Sequence, residues 1–600
     1  MSEPDHSALE SHRIAVPLAV QVTAWVAGLL ACVAAMLDRI GEWSPSLATV
    51  QLIALALAPV VFMLPARQML GQRRVSNPSP IGHTDWRLCV MLGGLSFCVC
   101  AGIGKQIGEL PPAYHDEFCY LFQAKTLLTG RFAFPSHALH PELFDQMHLL
   151  NEGRMASRYY PGTGLWLAPF VAIGDPYLGQ WLACAVSTML TFWTGRELGG
   201  RQTGFFAALA MAVSPGIGLF GNTLLAHPPT LMALSLFLLG ITRWQRTRGT
   251  WEAWMAGCGL SFAMLCRPMT AAAVGLPFGW AALIWLIRGQ HSAATTSFHD
   301  RLKAMLGLGI PLVCGWGIML WYNDAVTGDW RTSPYQLYTE IYTPRHVYGF
   351  NNVTRGEQHL GPKVIDAYDR WAENLTPSLA ARNLLVRWIA SWLWTFDGLP
   401  LFISAIIMLA MLPWLDRRWT LLFSAIASLH LLHVPYWYVG IMGWHYVFES
   451  APLWCLVLGG ATGLLIDDWK QRGLRRLPLW WRVMLAISLA GVFLSPAGVW
   501  SSRLQRGISV LKFPRSRHAE LRQWVEQRID RRPALVLLEQ EDPFGSHLDL
   551  VVNEPGLDAE LIIGRYRPGQ TDVAQIRRDF PERHVYVACP ERRTLLRIGD

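Results

Sequence analysis

The residues best equipped for chemistry stand in a polar stretch between apolar runs, Pro111-Pro-Ala-Tyr-His-Asp-Glu-Phe-Cys-Tyr120. Carboxylates move protons and guanidinium groups meet anions, so the adjacent Asp116 and Glu117 draw notice first. Apolar residues follow at Phe118, Leu121, Phe122 and Leu128 and stop at Gly130, a helical stripe that predicts a short amphipathic helix lying on the outer leaflet. At its start the acid pair has two uses, as a reactive group at the membrane surface or as a helix cap. Further on, Asn151-Glu-Gly-Arg-Met-Ala-Ser-Arg-Tyr-Tyr-Pro-Gly162 reads as a hairpin leading into an interfacial or re-entrant helix. Arg158 in this segment is placed to meet an anionic headgroup, or to snorkel like any interfacial arginine. Arg267 stands between two apolar segments, where a charge is costly unless it serves a site or reaches the interface.

The rest of the chain decides what positions these residues. Of 600 residues, 52% are hydrophobic and only 16% charged, with a mean hydropathy of +0.25. That balance excludes disorder, collagen and a secreted disulfide scaffold, and predicts a large polytopic α-helical membrane unit. The 11 Cys fall mostly in apolar runs and show no zinc-type pairing. The net charge of +8 is read as cytoplasmic loop charge and not as a nucleic-acid footprint.

Apolar runs read as spanning helices occur at Ile14–Leu37, Ser46–Ala66, Trp86–Gly104, Tyr177–Trp193, Gly204–Phe220, Pro229–Trp244, Trp254–Leu265 (short for a span), Met269–Ile287, Ala304–Tyr322, Gly398–Trp414, Trp419–Pro435, Tyr446–Ile466 and Val483–Trp500. This makes about thirteen transmembrane helices, the first an uncleaved anchor. Arginines and lysines of the short connections all fall on one side, which sets that side as cytoplasmic. The expected protein is multi-pass in the plasma (inner) membrane, with its N-terminus inside. The loops 105–160 and 323–381 then lie outside, as does a C-terminal domain at 501–600. That domain carries strand-like runs at Ala534–Leu538, Leu548–Val552, Leu561–Ile563 and Val585–Ala588, with helical patterns at Ser516–Ile529 and Thr571–Asp579. It reads as a small α/β unit of roughly 100 residues without a phosphate-binding glycine loop. The second loop is rich in Tyr335, Tyr338, Tyr342, His346, Tyr348, Phe350 and His359, which suit sugar stacking or a lid on the membrane. Asn222 and His227, just beyond a span, either line a cavity or cap helix ends.

In their order, these motifs resemble family 39-type glycosyltransferases of the GT-C class, the group with the protein O-mannosyltransferases and the lipid A aminoarabinose transferase. His115-Asp116-Glu117 matches the acid pair of their first external loop. Ser157-Arg-Tyr-Tyr-Pro-Gly162 is similar to a Ser-Lys-Tyr-Pro-Pro-Gly segment, with Arg158 for Lys and Tyr160 for the first Pro. Leu265-Cys-Arg267-Pro268 resembles a polar break after a helix, and Gly443-Trp-His-Tyr-Val-Phe-Glu449 to Pro452 an Arg-Tyr-x-x-Glu-x-x-Pro segment with His445 for Arg. The likeness covers most of the membrane region and is best from Asp116 to Pro268.

The resemblance implies transfer of a sugar from a polyprenyl-phosphate donor in the outer leaflet to an acceptor hydroxyl of a lipid, glycan or protein. Asp116 would be the general base, Glu117 its support, and Arg158 and Arg267 the cations for the departing phosphate. His115, Tyr159, Tyr160, His227, His445 and Glu449 are expected around the substrate cavity. The resemblance fixes no cofactor; a divalent cation held by Glu117 with His115 is the one addition considered. The rival class is a polytopic transporter or flippase, which would place ionisable residues within discontinuous helices in two repeated halves. No internal repeat is evident.

Overall fold

In lipid every backbone N–H and C=O must be bonded within the protein, so apolar runs of this length form helices. The computed structural model describes residues 80–112, 114–288, 290, 291, 294, 295, 297–471, 473, 477–495, 501–539 and 549–598. The expected spans Ile14–Leu37 and Ser46–Ala66 lie outside the described residues, as does the end of the Val483–Trp500 run. The remaining runs are helical over most of their described length, with a break at Val213-Ser214 inside Gly204–Phe220. The helices His83–Ile107, Pro268–Ile287 and Phe298–Thr327 and the segment Ile441–Lys470 are long and apolar enough to cross a membrane. Several outward faces carry bare apolar side chains, among them Val90, Met91, Leu276, Trp280, Val313, Trp316, Val483 and Ile487. Such faces suit lipid and not water.

The runs Tyr177–Trp193 and the start of Gly204–Phe220 are two limbs of one element, Pro176–Ala212, which turns back at Gly199-Gly200. Gly200 has φ +85°, and a Cβ on Gly204 would stand 2.4 Å from the carbonyl oxygen of Phe192. Glycine is therefore required both for the turn and for the close approach of the limbs.

The helix Pro377–Thr395 departs from the sequence expectation, which places its start in the second external loop. It is followed by Gly398–Trp414 at a bend of 105°. Arg382, Asn383 and Arg387 break its hydropathy, yet Arg387 is wholly buried. Its guanidinium donates to the carbonyls of His433, Tyr436 (2.9 Å) and Tyr438 (2.7 Å), so tertiary contacts satisfy what the local sequence leaves polar.

The two ends of the bundle differ in chemistry. At one end, Asp85 pairs with Arg196 at 3.1 Å and Arg201 at 2.5 Å, and Glu197 pairs with Arg246 and with Arg418 at 3.2 Å. Basic residues from several short connections thus gather on one side. At the other end sit the two long loops and the C-terminal segment. The first loop forms the predicted helix, His115–Leu128, but it does not lie on a leaflet. Cys119 and Phe122 pack with Leu143 and Phe144, while Tyr120 and Ala124 join the main bundle core, so protein covers both faces. The predicted hairpin is present as Leu149–Asn151 paired with Arg154–Ser157 around Gly153, in the register Leu150↔Ala156. Tyr322, Tyr338 and Tyr342 pack against it.

The C-terminal sheet runs Leu561–Arg565, Ala534–Leu538, His584–Cys589, Thr594–Arg597, with the first three strands parallel and the last antiparallel. The expected strand at Leu548–Val552 is irregular in its described part, because the Asp549 carboxylate accepts from the Val551 N–H at 3.0 Å and pairs with Arg565. The preceding helix starts earlier than predicted and spans Arg503–Glu526. Its Leu504, Ile508 and Leu511 pack on Ile103, Ile107 and Leu219 of the bundle, and its Leu521, Trp524 and Val525 on the sheet. Leu535, Leu537 and Ile562 meet Phe122, Leu143 and Phe144 of the first loop. Loop and sheet share one core and therefore one side of the bundle.

Candidate active site

Between the loops and the apolar bundle lies a cavity of about 560 Å³. Its walls come from five places in the chain: 114–120 with 148–160, the turn 225–227, the junction 266–270, the second loop, and the segment 433–446. Of the residues expected in a site, His115, Asp116, Arg158, Tyr159, Tyr160, His227, Arg267 and His445 all line it.

The helix His115–Leu128 has Tyr114 at its N-cap, and the Tyr114 N–H donates to Glu117 Oε2 at 3.3 Å. The capping carboxylate is thus Glu117, which leaves that of Asp116 to face the cavity. Asp116 Oδ1 stands 2.8 Å from His148 Nδ1 and accepts from the Tyr159 hydroxyl. His148 Nε2 lies 3.2 Å from the Tyr368 hydroxyl, which completes a chain Tyr368–His148–Asp116–Tyr159. His148 is held at φ +64° by its N–H donating to the Tyr338 hydroxyl (3.0 Å) and its carbonyl accepting from the Arg158 N–H (3.1 Å). A non-glycine residue in that conformation persists only where its surroundings over-determine it. Burial pushes the Asp116 carboxyl upward, but the neighbouring His148 and His445 and the hydrogen bonds of His148 and Tyr159 outweigh it and hold the group below the usual carboxylate range. Burial lowers His148 more than Asp116 raises it. At neutral pH the Asp116 carboxyl is ionised.

Arg158 is only 4% exposed. Its guanidinium carbon lies 4.1 Å from the ring centre of Tyr335, 4.3 Å from Tyr338 and 5.8 Å from Tyr159, and Nη2 donates to Thr339 Oγ1 at 3.1 Å. Among the described residues no carboxylate reaches it within ion-pair distance, and its Nε has no partner. Aromatic faces and one hydroxyl thus hold this buried cation.

Arg267 differs. It closes the helix Thr250–Cys266, its N–H bonded to Ala263 O at 2.7 Å. Its Nη1 reaches Glu449 at 2.6 Å, His227 Nδ1 at 2.9 Å and the His445 carbonyl at 3.3 Å. Glu449 is buried behind it, and His227 stacks on Phe220 and meets His445 edge to face. Arg267 reaches the cavity with its charge already partnered, while Arg158 reaches it with its charge unspent.

Glu117 does not line the cavity. Its Oε1 accepts from the Leu224 N–H at 2.9 Å and from Arg515 at 2.8 Å. The Asp116 carboxylate takes its hydrogen bonds from His148 and Tyr159, while Glu117 holds the backbone at Tyr114 and Leu224. His115 does line the cavity, so the two residues share no cation site there. Among the described residues no group of three His, Cys, Asp or Glu side chains is arranged to hold a metal ion. Asn222 is used structurally, bridging Trp181 and the carbonyls of Cys100 and Gly218. In the second loop Tyr335, His346 and Tyr348 line the cavity, whereas Phe350 and His359 are exposed. His148, Tyr368, Arg387 and Arg515 escape sequence reasoning because each sits alone in a segment with no motif.

No family description and no curated protein matches the sequence. Among solved structures the chain is similar to ArnT from Cupriavidus metallidurans in the apo state, at 11% identity over 84% of this chain and 89% of ArnT, with a TM-score of 0.46. It is similar to the archaeal oligosaccharyltransferase AglB from Archaeoglobus fulgidus, solved with an inhibitory peptide and a dolichol-phosphate, at 10% identity over 84% and 69% of the two chains and a TM-score of 0.41. It is also similar to the arabinosyltransferase EmbB from Mycobacterium smegmatis, at 16% identity over 70% of this chain and a TM-score of 0.37; the match spans 34% of EmbB.

Proposed function

We propose that this chain is an integral-membrane glycosyltransferase that moves a sugar from a polyprenyl-phosphate donor to an acceptor hydroxyl of a lipid, glycan or protein on the extracytoplasmic side. The observation that carries the reading is one cavity, beside an apolar bundle, that holds both an ionised carboxylate and a buried arginine without an acidic partner. The first suits a proton acceptor and the second a phosphate. The order of motifs from Asp116 to Pro268 supports the same class.

The acceptor oxygen would attack the anomeric carbon as its proton passes to Asp116. The bond from that carbon to the phosphate oxygen breaks, and its electron pair leaves with the polyprenyl phosphate, whose charge Arg158 meets. His148 and Tyr159 keep the Asp116 carboxylate aimed into the cavity, each by a hydrogen bond to its Oδ1. Arg267, partnered by Glu449, holds His227 and the His445 backbone in the opposite wall. The test is incubation of the purified full chain with polyprenyl-phosphate sugars and candidate acceptors, with products read by mass spectrometry. Sugar transfer is expected. Movement of intact lipid across vesicles without transfer would sink the reading in favour of a flippase.

A further inference from the structure

The helix Arg503–Glu526 carries a buried arginine, Arg515, behind the start of the Asp116 helix. Arg515 is 2% exposed and Glu117 0%. Arg515 Nη2 donates to Glu117 Oε1 at 2.8 Å and to the Asn222 carbonyl at 2.7 Å, and its guanidinium lies 5.6 Å from the Tyr177 ring centre. Glu117 in turn holds the Tyr114 and Leu224 N–H groups. One turn on, the His518 ring lies against Phe118, 5.0 Å between centres. A single ion pair therefore joins the C-terminal helix to two cavity walls, the first turn bearing Asp116 and the turn leading to Leu225, Ala226 and His227.

We infer that Arg515 is a positioning residue of the site: through Glu117 it fixes Asp116 and the 225–227 turn relative to each other, so the C-terminal segment is a working part of the cavity. The Arg158 guanidinium is held by other elements, at Tyr335, Tyr338 and Thr339. Removing Arg515 alone strands a buried carboxylate, which is strongly destabilising, whereas removing both charges is far better tolerated. Two variants of the full chain separate stability from positioning: Arg515→Met, and Arg515→Met combined with Glu117→Gln.

Hydrogen exchange of the purified protein gives a readout independent of activity. In the folded double variant, amides at 114–118 and 222–227 are expected to exchange about tenfold faster, with the strands Ala534–Leu538 and His584–Cys589 unchanged. The kinetic arm rests on the glycosyl-transfer reading. There kcat should fall about 10²-fold, as for a misplaced catalytic group, while polyprenyl phosphate binds within about twofold of the wild-type affinity. Wild-type protection at both segments would overturn the inference, and so would loss of protection spread equally over the sheet. If the wild type transfers no sugar, the functional reading fails and the exchange result alone decides the role of Arg515.

Discussion

Replacement of Asp116 by Asn isolates proton acceptance from every other use of this side chain. Asn is nearly isosteric, and its Oδ1 can still accept from His148 Nδ1 and the Tyr159 hydroxyl. Helix capping is untouched, because Glu117 and not Asp116 serves the Tyr114 N–H. What disappears from the folded state is the charge on two hydrogen bonds, a difference of about 1 to 2 kcal/mol. A domain with about 5 to 15 kcal/mol of stability remains folded after that loss. Loss of a general base costs about 10² to 10⁴ in rate, or roughly 3 to 5 kcal/mol on the barrier. The two effects therefore separate: the melting temperature moves a few degrees at most while kcat collapses. The assay is turnover at saturating donor with a verified acceptor, on material shown to be monodisperse, beside a thermal melt. Asp116→Ala is the contrasting arm, since it leaves the His148 and Tyr159 donors without their acceptor and should lower stability more than Asn does. Wild-type turnover by well-folded Asp116→Asn would refute the assignment of Asp116 as the base.

Arg158→Gln should weaken polyprenyl phosphate binding by about tenfold or more, since it removes the charge-assisted contact; unchanged affinity in a lipid-binding titration removes Arg158 from the site. Acid should destabilise the protein. Burial holds the His148, His346 and His518 rings below their ordinary range, His346 at about 3 and His518 at about 4, so below pH 6.5 the unfolded chain binds protons that the folded chain refuses. Each such ring costs up to about 1.4 kcal/mol per pH unit until its folded pKa is reached, and a melting temperature that is level or rising from pH 7.5 to 5 contradicts this. Asp116, held low, adds a loss of the same sign below the ordinary carboxylate range. Single cysteines at Ala138 and Ser516 should react with an impermeant maleimide in intact cells, and one at Thr250 only after permeabilisation; the reverse pattern inverts the orientation.

Much of the scaffold was legible because hydropathy and turn chemistry are local. The spans Tyr177–Trp193 and Gly204–Phe220 show in their apolar runs, and the hairpin at Gly153 in its turn residue, which adopts a positive φ at no steric cost. The helix Pro377–Thr395 was missed for the same reason in reverse. Its arginines look polar in isolation, and Arg387 finds its carbonyl partners at His433, Tyr436 and Tyr438, far along the chain. The site followed the same division. Sequence marked Asp116, Arg158 and Arg267 by type, position and resemblance, and all three line the cavity.

What sequence left open was the division of labour between neighbours. Asp116 and Glu117 are adjacent and chemically alike, but successive residues of a helix point about 100° apart, and of these two only Asp116 lines the cavity. Their partners choose which: His148 and Tyr159 draw Asp116 inward, and Arg515, from the far end of the chain, takes Glu117 away. Arg158 and Arg267 were likewise equal on paper until Glu449 was found against one and tyrosine faces against the other. Residue type and spacing determine which groups are able to do chemistry, because those properties belong to the local chain. Burial and the choice of ion-pair partner depend on segments that meet only in the folded bundle, so tertiary structure alone decided which carboxylate and which arginine are free to act.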